Sequence, residues 1–278
     1  MKKTTILWII AIIITIATAA YQRLTGPTYP VKGSIELNGK EINYKLLRTH
    51  GGDGNQKVSI KTNDNQITGT LYYKRYKTND EWQPLPMQYR SGELFAFLPH
   101  QPPAGKLEYY IELEKKAKTV KIPNDNSVVT RFKGAIPLYI LIPHIFAMFL
   151  AMLFSTRTAL EYFNPESNLK KLTLWTIGFL IVGGLILGPI VQKFAFGEYW
   201  TGFPYGHDLT DNKTVIAFSG WLIALFMYGR SKVPKLWAVF AAVILLLVYM
   251  IPHSAMGSEL DYNKLDKNKT NIEHNINN

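Results

Sequence analysis

Four long apolar runs in the second half of the chain restrict its architecture more than any other feature. They cover about Ala135–Phe154, Leu172–Gln192, Val215–Tyr228 and Leu236–Ile251. Such runs predict transmembrane helices, because a bilayer core of about 30 Å takes about 20 helical residues. Water is absent there, so the backbone must satisfy itself. The third run is short, but Asp211 and Asn212 give it a helix start and Gly229-Arg230 a stop. A further apolar stretch, Ile6–Ala20, follows Met1, Lys2 and Lys3. It has the form of a signal-type segment, either cleaved after the small residues Ala17, Ala19 and Ala20 or kept as an anchor. Either way, Tyr21 onward is expected to be exported.

Between these parts the texture changes. Residues 21–30, with two prolines and a glycine, read as a linker. From Val31 to Pro123 the period is that of strands. Ser34–Leu37 and Ile42–Leu47 flank Asn38-Gly39, a strong hairpin signal. Val58–Lys61, Ile67–Lys77 and Glu93–Leu98 alternate apolar with polar residues, and Leu107–Leu113 and Thr119–Ile122 follow the turn PPAGK. About seven short strands in about 90 residues predict a β-sandwich. Residues 124–134 read as a polar linker, and 255–278, rich in Asn and Lys, as a flexible tail.

The stretch Phe97 to Leu113, FLPHQPPAGKLEYYIEL, resembles the E–F corner and F strand of fibronectin type III and related immunoglobulin-like sandwiches. The resemblance implies that Tyr109 or Tyr110 is a corner tyrosine whose hydroxyl bonds back to the turn, and that Trp82 sits in or near the core. It also implies a binding or spacer module, since this fold rarely carries catalysis itself. The membrane part resembles only an uncharacterised bacterial membrane-protein family.

Charge sets the expected topology. Lys2, Lys3, Arg157, Lys170, Lys171, Arg230, Lys232 and Lys235 flank the runs on one side against Glu161 and Glu166. The short loop 193–213 on the other side carries Lys193 and Lys213 against Glu198, Asp208 and Asp211. This positive-inside bias places the sandwich, that loop and the C-terminus outside the cytoplasm of a bacterial cytoplasmic membrane. The net charge of +11 is spread over the chain, whereas nucleic-acid binding wants a clustered basic face. The absence of cysteine removes disulfides, thiolate ligands and a cysteine nucleophile.

The candidate chemistry lies in Pro189–Thr214 and in the histidines near it. His144 falls about 12 Å into its helix, near mid-bilayer, where an ionisable residue is a functional hypothesis by default. His207 lies in the loop, and His253 in the second of two Ile-Pro-His strings. With Met148 and Met256 these three histidines offer a copper or haem site. The competing reading is a neutral histidine bonding a neighbouring helix, with Met as filler. Asp208 and Asp211 offer oxygen ligands for a cation, or else Thr210, Asp211 or Asn212 caps the next helix. Glu198 and Trp200 either line a ligand site or belong to an interfacial aromatic belt. Gly184 and Gly188 form a small-residue packing face, and Arg157 with Glu161 a surface pair.

The sequence thus predicts a signal segment (1–20), a fibronectin-III-like sandwich (31–123) and a four-helix transmembrane domain (135–254). The expected role is an accessory, assembly or interaction subunit with a membrane or periplasmic protein partner. The alternative is a metal- or haem-binding redox subunit using His144, His207, His253 and Met256.

Overall fold

The computed structural model describes residues 3–206, 209–252 and 259–267. The chain forms two compact units, Met1–Pro27 with Ile136–Ser258, and Thr28–Ala135 with Glu259–Asn278.

The first unit is helical. It comprises α1 (Lys3–Thr25), α2 (Leu138–Ala159) with a 3-10 turn (Leu160–Phe163), α3 (Leu169–Phe179), a π-helical segment (Leu180–Leu187), α4 (Gly188–Phe196), α5 (Leu209–Tyr228) and α6 (Pro234–Met250). Among the described residues, three stretches are long and apolar enough to cross a membrane: Lys3–Thr25, Leu138–Phe163 and Leu169–Phe196. The first of these is the signal-type segment, and α6 is a shorter apolar helix. α1 continues through Tyr21–Thr25, where the sequence suggested a linker. Nothing before Gly26-Pro27 breaks the helix. Its Leu7, Ala11, Thr15 and Thr18 are buried, Trp8 meets Phe154 edge-on at 5.4 Å, and Gln22 Nε2 donates to the Tyr249 carbonyl at 2.7 Å.

Alanines take much of the interior of this unit, beside Trp221, Met152, Leu180 and Leu245. Ala147, Ala151, Ala217, Ala224, Ala238 and Ala241 are buried, while Ile13, Ile16, Phe146, Phe240 and Leu247 face outward. A water-soluble bundle would turn those large outward side chains inward. Small residues inside and large aliphatics outside suit helices whose surroundings are hydrocarbon, which agrees with a membrane protein.

The second unit is β-rich. Its strands are β1 (Val31–Leu37), β2 (Lys40–Leu46), β3 (Thr49–Gly51), β4 (Gln56–Lys61), β5 (Thr68–Arg75), β6 (Gln83–Pro86), β7 (Gln88–Arg90), β8 (Glu93–Leu98), β9 (Lys106–Lys115), β10 (Lys118–Ile122) and β11 (Val128–Lys133). β1 and β2 form the expected hairpin, with Asn38 at φ 51 and Gly39 at φ 77, the backbone that this dipeptide favours in a tight turn. The largest sheet runs β3-β11-β9-β5-β6 with β10 beside β9, and a second runs β4-β8-β7. All pairings are antiparallel except β3 with β11. Leu37, Ile42, Ile60, Leu71, Leu98 and Phe132, drawn from all three sheets, share one core. The arrangement is compatible with a β-sandwich.

Two segments depart from the sequence reading. Residues 128–133, within the expected polar linker, form β11, because Val128, Thr130 and Phe132 alternate inward. Residues 259–267, within the expected flexible tail, pack on the sheets: Tyr262 is buried and Leu260 N–H donates to the Ala104 carbonyl at 3.2 Å. Charged and apolar contacts from one face outweigh a composition that reads as unstructured.

Candidate functional site

The loop after α4 is built around one carboxylate. Gly197, at φ 89, ends α4 and returns its N–H to the Lys193 carbonyl. Asp211, in the first turn of α5, then reaches back across the loop. Its Oδ2 accepts from the Thr201 N–H at 2.7 Å, the Gly202 N–H at 3.0 Å and Gln192 Nε2 at 3.1 Å. Gln192 Nε2 also donates to Thr201 Oγ1 at 2.7 Å, and Asn212 Oδ1 accepts from the Phe203 N–H at 2.7 Å. Gly202 is required by close approach: a Cβ there would meet Asp211 Cβ at 2.7 Å. Two consecutive amides and a side-chain amide satisfy a buried anion well. Asp211 therefore braces the loop.

The other residues expected here are not gathered around it. Glu198 is exposed. Trp200 is half-buried, and its Nε1–H donates to the Phe203 carbonyl at 3.1 Å. His207, Asp208, His253 and Met256 lie outside the described residues. Nearby, Lys213 is buried and donates to the Ile251 carbonyl at 2.9 Å, one of the carbonyls a helix leaves free at its C-terminal end.

His144 is held by the neighbouring helix. Its Nδ1 lies 3.0 Å from the Gly183 carbonyl; a carbonyl only accepts, so Nδ1 carries the proton. The same oxygen accepts the Gly188 N–H that closes the π-helical segment. This is the arrangement of a neutral histidine bonding across a bundle. Met148 packs against Gly183, where a Cβ would sit 2.8 Å from its Sδ, and its carbonyl accepts the Tyr249 hydroxyl at 2.8 Å. Among the described residues no group of three metal-ligating side chains assembles. The close-contact glycines are Gly183, against Ala147 and Met148, and Gly184, against Thr214; Gly188 has more room.

One site the sequence misjudged is the Arg157–Glu161 pair. Both side chains are essentially buried, at 3% and 1% exposure, with Nη1 2.5 Å from Oε1. Glu161 Oε2 also accepts from Asn164 Nδ2 at 3.0 Å and the Asn168 N–H at 3.1 Å. The Arg157 guanidinium lies 5.4 Å from the Trp8 ring centre. The pair is not on the surface, because the turn after α2 folds Asn164 and Asn168 over it and α1 covers its other side. Two asparagines within seven residues of a helix-end glutamate were the available signal.

In the β unit, Tyr109 is the buried tyrosine of the FLPH…IEL stretch. Its hydroxyl donates to the Leu47 carbonyl at 2.7 Å, at the β2–β3 connection and not at the preceding turn. Burial holds its phenol well above the usual range. Tyr110 faces the opposite way. It stacks on Tyr72 at 4.9 Å and meets Trp82 edge-on at 4.8 Å, so Trp82 lies on the outer face of the sheet rather than in the core. Lys121 lies 4.4 Å from the Tyr110 ring and Lys74 5.2 Å from the Trp82 ring, and Lys74 also pairs with Glu108 at 3.6 Å. Burial raises the phenols of Tyr72 and Tyr110.

At another edge of this unit, Lys77 and Lys106 both clasp Glu259, and Arg75 pairs with Asp80 at 2.6 Å and Asp266 at 2.8 Å. The Tyr262 hydroxyl accepts the Lys106 N–H at 3.0 Å, and burial raises its pKa to about 12. Burial works to raise the Glu259 carboxyl, but the two ammoniums together outweigh it and the pKa falls. Burial likewise lowers Lys106 despite its partner.

Comparison of the sequence with known protein families and with curated proteins finds no match. Fold and site together define a class only: a membrane protein with a helical unit and a β-rich unit.

Proposed function

We propose that this protein is an accessory or assembly subunit of a complex in the bacterial cytoplasmic membrane, presenting an immunoglobulin- or fibronectin-III-like sandwich to a protein partner outside the cytoplasm. The observation that carries this reading is the Tyr72–Tyr110–Trp82 ladder on the outer sheet face, bordered by Lys74 and Lys121. Aromatic side chains with a polar rim are the composition from which interface centres are made. The strand order β11-β9-β5 against β4-β8-β7 supports the immunoglobulin-like assignment, since it repeats the G-F-C and B-E-D neighbours of that fold. The topology has support of its own. Four helical stretches, α2, α3 with α4, α5 and α6, separate the strands from residues 259–267, which belong to the same unit; if each of the four crosses the bilayer, the even number returns the chain to the side of the sandwich.

The test uses the full chain in native membranes with a photo-crosslinking residue at Tyr110. A discrete adduct to one protein, lost in Tyr72→Ala and Trp82→Ala variants of unchanged unfolding temperature, is the expected result. A chain that forms no adduct from this face overturns the reading. The redox alternative keeps one supporting observation: with Nδ1 donated to Gly183, His144 Nε2 is oriented as a metal-ligating nitrogen is by its outer partner. A Soret band or stoichiometric copper, lost in His144→Ala, would favour that alternative.

A further inference from the structure

We propose that the groove between the start of α3 and the end of α5 holds an anionic phospholipid, its phosphate on Lys170 and Lys171 and its acyl chain along Leu174, Trp175 and Gly178. This rests on the membrane character of the helical unit and on nothing said of the β unit. The groove has a volume of about 630 Å³, and Tyr228 of α5 forms its far wall. Lys171, Leu174, Trp175 and Gly178 recur at i, i+3, i+4 and i+7, so they share one face of α3. That face grades from charge to hydrocarbon. Two cations stand at its head, no carboxylate lines it, and among the described residues neither lysine forms an ion pair. Below them, Leu174 and Trp175 are each 49% exposed, and Trp175 is stacked on Phe179 at 5.6 Å, which fixes its plane.

Gly178 supplies the independent observation. A Cβ at this position would meet nothing within 4 Å, unlike Gly183 and Gly184, which are packed against. A mid-helix glycine weakens a helix, and here it permits no close helix contact in return. Its effect is to leave the floor of the groove open. A free phosphate would satisfy the lysines and leave Leu174, Trp175 and the floor uncovered. A second copy of the chain would have to bring a carboxylate to the lysines. A lipid phosphate with its acyl chain matches both ends of the gradient, and lysines at the end of a spanning helix beside Trp and Tyr lie at headgroup depth.

The experiment takes the full chain, purified in detergent and stripped of lipid, and measures retention of phosphatidylglycerol and phosphatidylcholine by native mass spectrometry. One phosphatidylglycerol held at least about tenfold more tightly than phosphatidylcholine is expected, the scale of two lysines at an anionic surface. The preference disappears in K170Q/K171Q and persists in K170R/K171R. In G178L, which fills the floor, retention of both lipids falls while the unfolding temperature does not. Equal retention of the two lipids, a preference that survives K170Q/K171Q, displacement of the lipid by inorganic phosphate alone, or a lipid-free dimer in the same spectra would each overturn the proposal. A chain that stays monodisperse without detergent would instead overturn the membrane reading beneath it.

Discussion

Glu161 shows how much one residue's surroundings decide. Its carboxylate is buried with Arg157 and accepts two further hydrogen bonds. Removing one member of a buried pair leaves an uncompensated charge, whereas replacing both by apolar groups does not. Glu161→Gln should therefore lower the stability of the detergent-solubilised protein by about 3 kcal/mol, and R157M/E161L by distinctly less, read as shifts in thermal unfolding. The i,i+4 spacing was visible in the sequence; the burial was not. It depends on α1 laying Trp8 on the guanidinium, a contact between residues about 150 positions apart. His144 was legible for the opposite reason: deep in an apolar run it had to find an acceptor, and the Gly183 carbonyl is one. The brace on Asp211 escaped the sequence reading because the spacing of a capping residue and of a loop anchor is the same. Only the loop's path through Thr201 and Gly202 separates them.

At the scale of elements, the π-helical segment Leu180–Leu187 and the docked stretch 259–267 lead to separate expectations. Gly183→Ala puts a methyl 2.8 Å from Met148 Sδ and 2.9 Å from Ala147 Cβ. Overpacking of that kind costs about 1–3 kcal/mol. Gly178→Ala, with open space around it, should stabilise the same helix by about 0.5–1 kcal/mol. Thermal unfolding of the two variants should thus move in opposite directions. For the docked stretch, Glu259 titrates below its ordinary value of 4.5. A carboxylate depressed by folding contributes stability that is complete above the ordinary value and is lost as pH falls through the depressed one. Residues 259–267 should stay protected from hydrogen exchange at neutral pH and lose protection in acid below about 4.5. In Glu259→Gln they should be unprotected already at neutral pH. Asp64 beside Lys115 and Asp80 beside Arg75 are displaced in the same direction, so the whole β unit should weaken on the acid side. The strands with clean alternation, β4, β8 and β9, were legible at once, and so was the Asn38-Gly39 hairpin. β11 was hidden because its inward Val128, Thr130 and Phe132 follow a polar stretch whose composition dominates a short window. The stretch 259–267 was hidden because its order comes from partners 153 to 191 residues away.

For the molecule as a whole, the absence of cysteine makes the proposed topology directly measurable. Single cysteines at Asn126 in the β unit and Lys264 in the docked stretch should react with a membrane-impermeant thiol reagent added from one side of the membrane. A cysteine at Lys232, between α5 and α6, should react only from the other. The partition into an apolar helical half and a strand-forming half was readable from run length and periodicity alone, because a hydrocarbon environment imposes length and uniformity that no tertiary contact can override. The size of the helical unit was less legible: α1 packs on α2 and α6 as a full member, a role that a signal-like composition gives no hint of.

The clasp of Lys77 and Lys106 on Glu259 also bears on biogenesis. The ribosome releases Glu259 only after α6 has been made, whereas both lysines emerge before α2. With four passes between them, as proposed above, the acid arrives in the compartment where its two bases already wait. One missed or extra pass would strand it across the bilayer. The latch would then close only on chains threaded correctly, so that its closure records the end of membrane insertion.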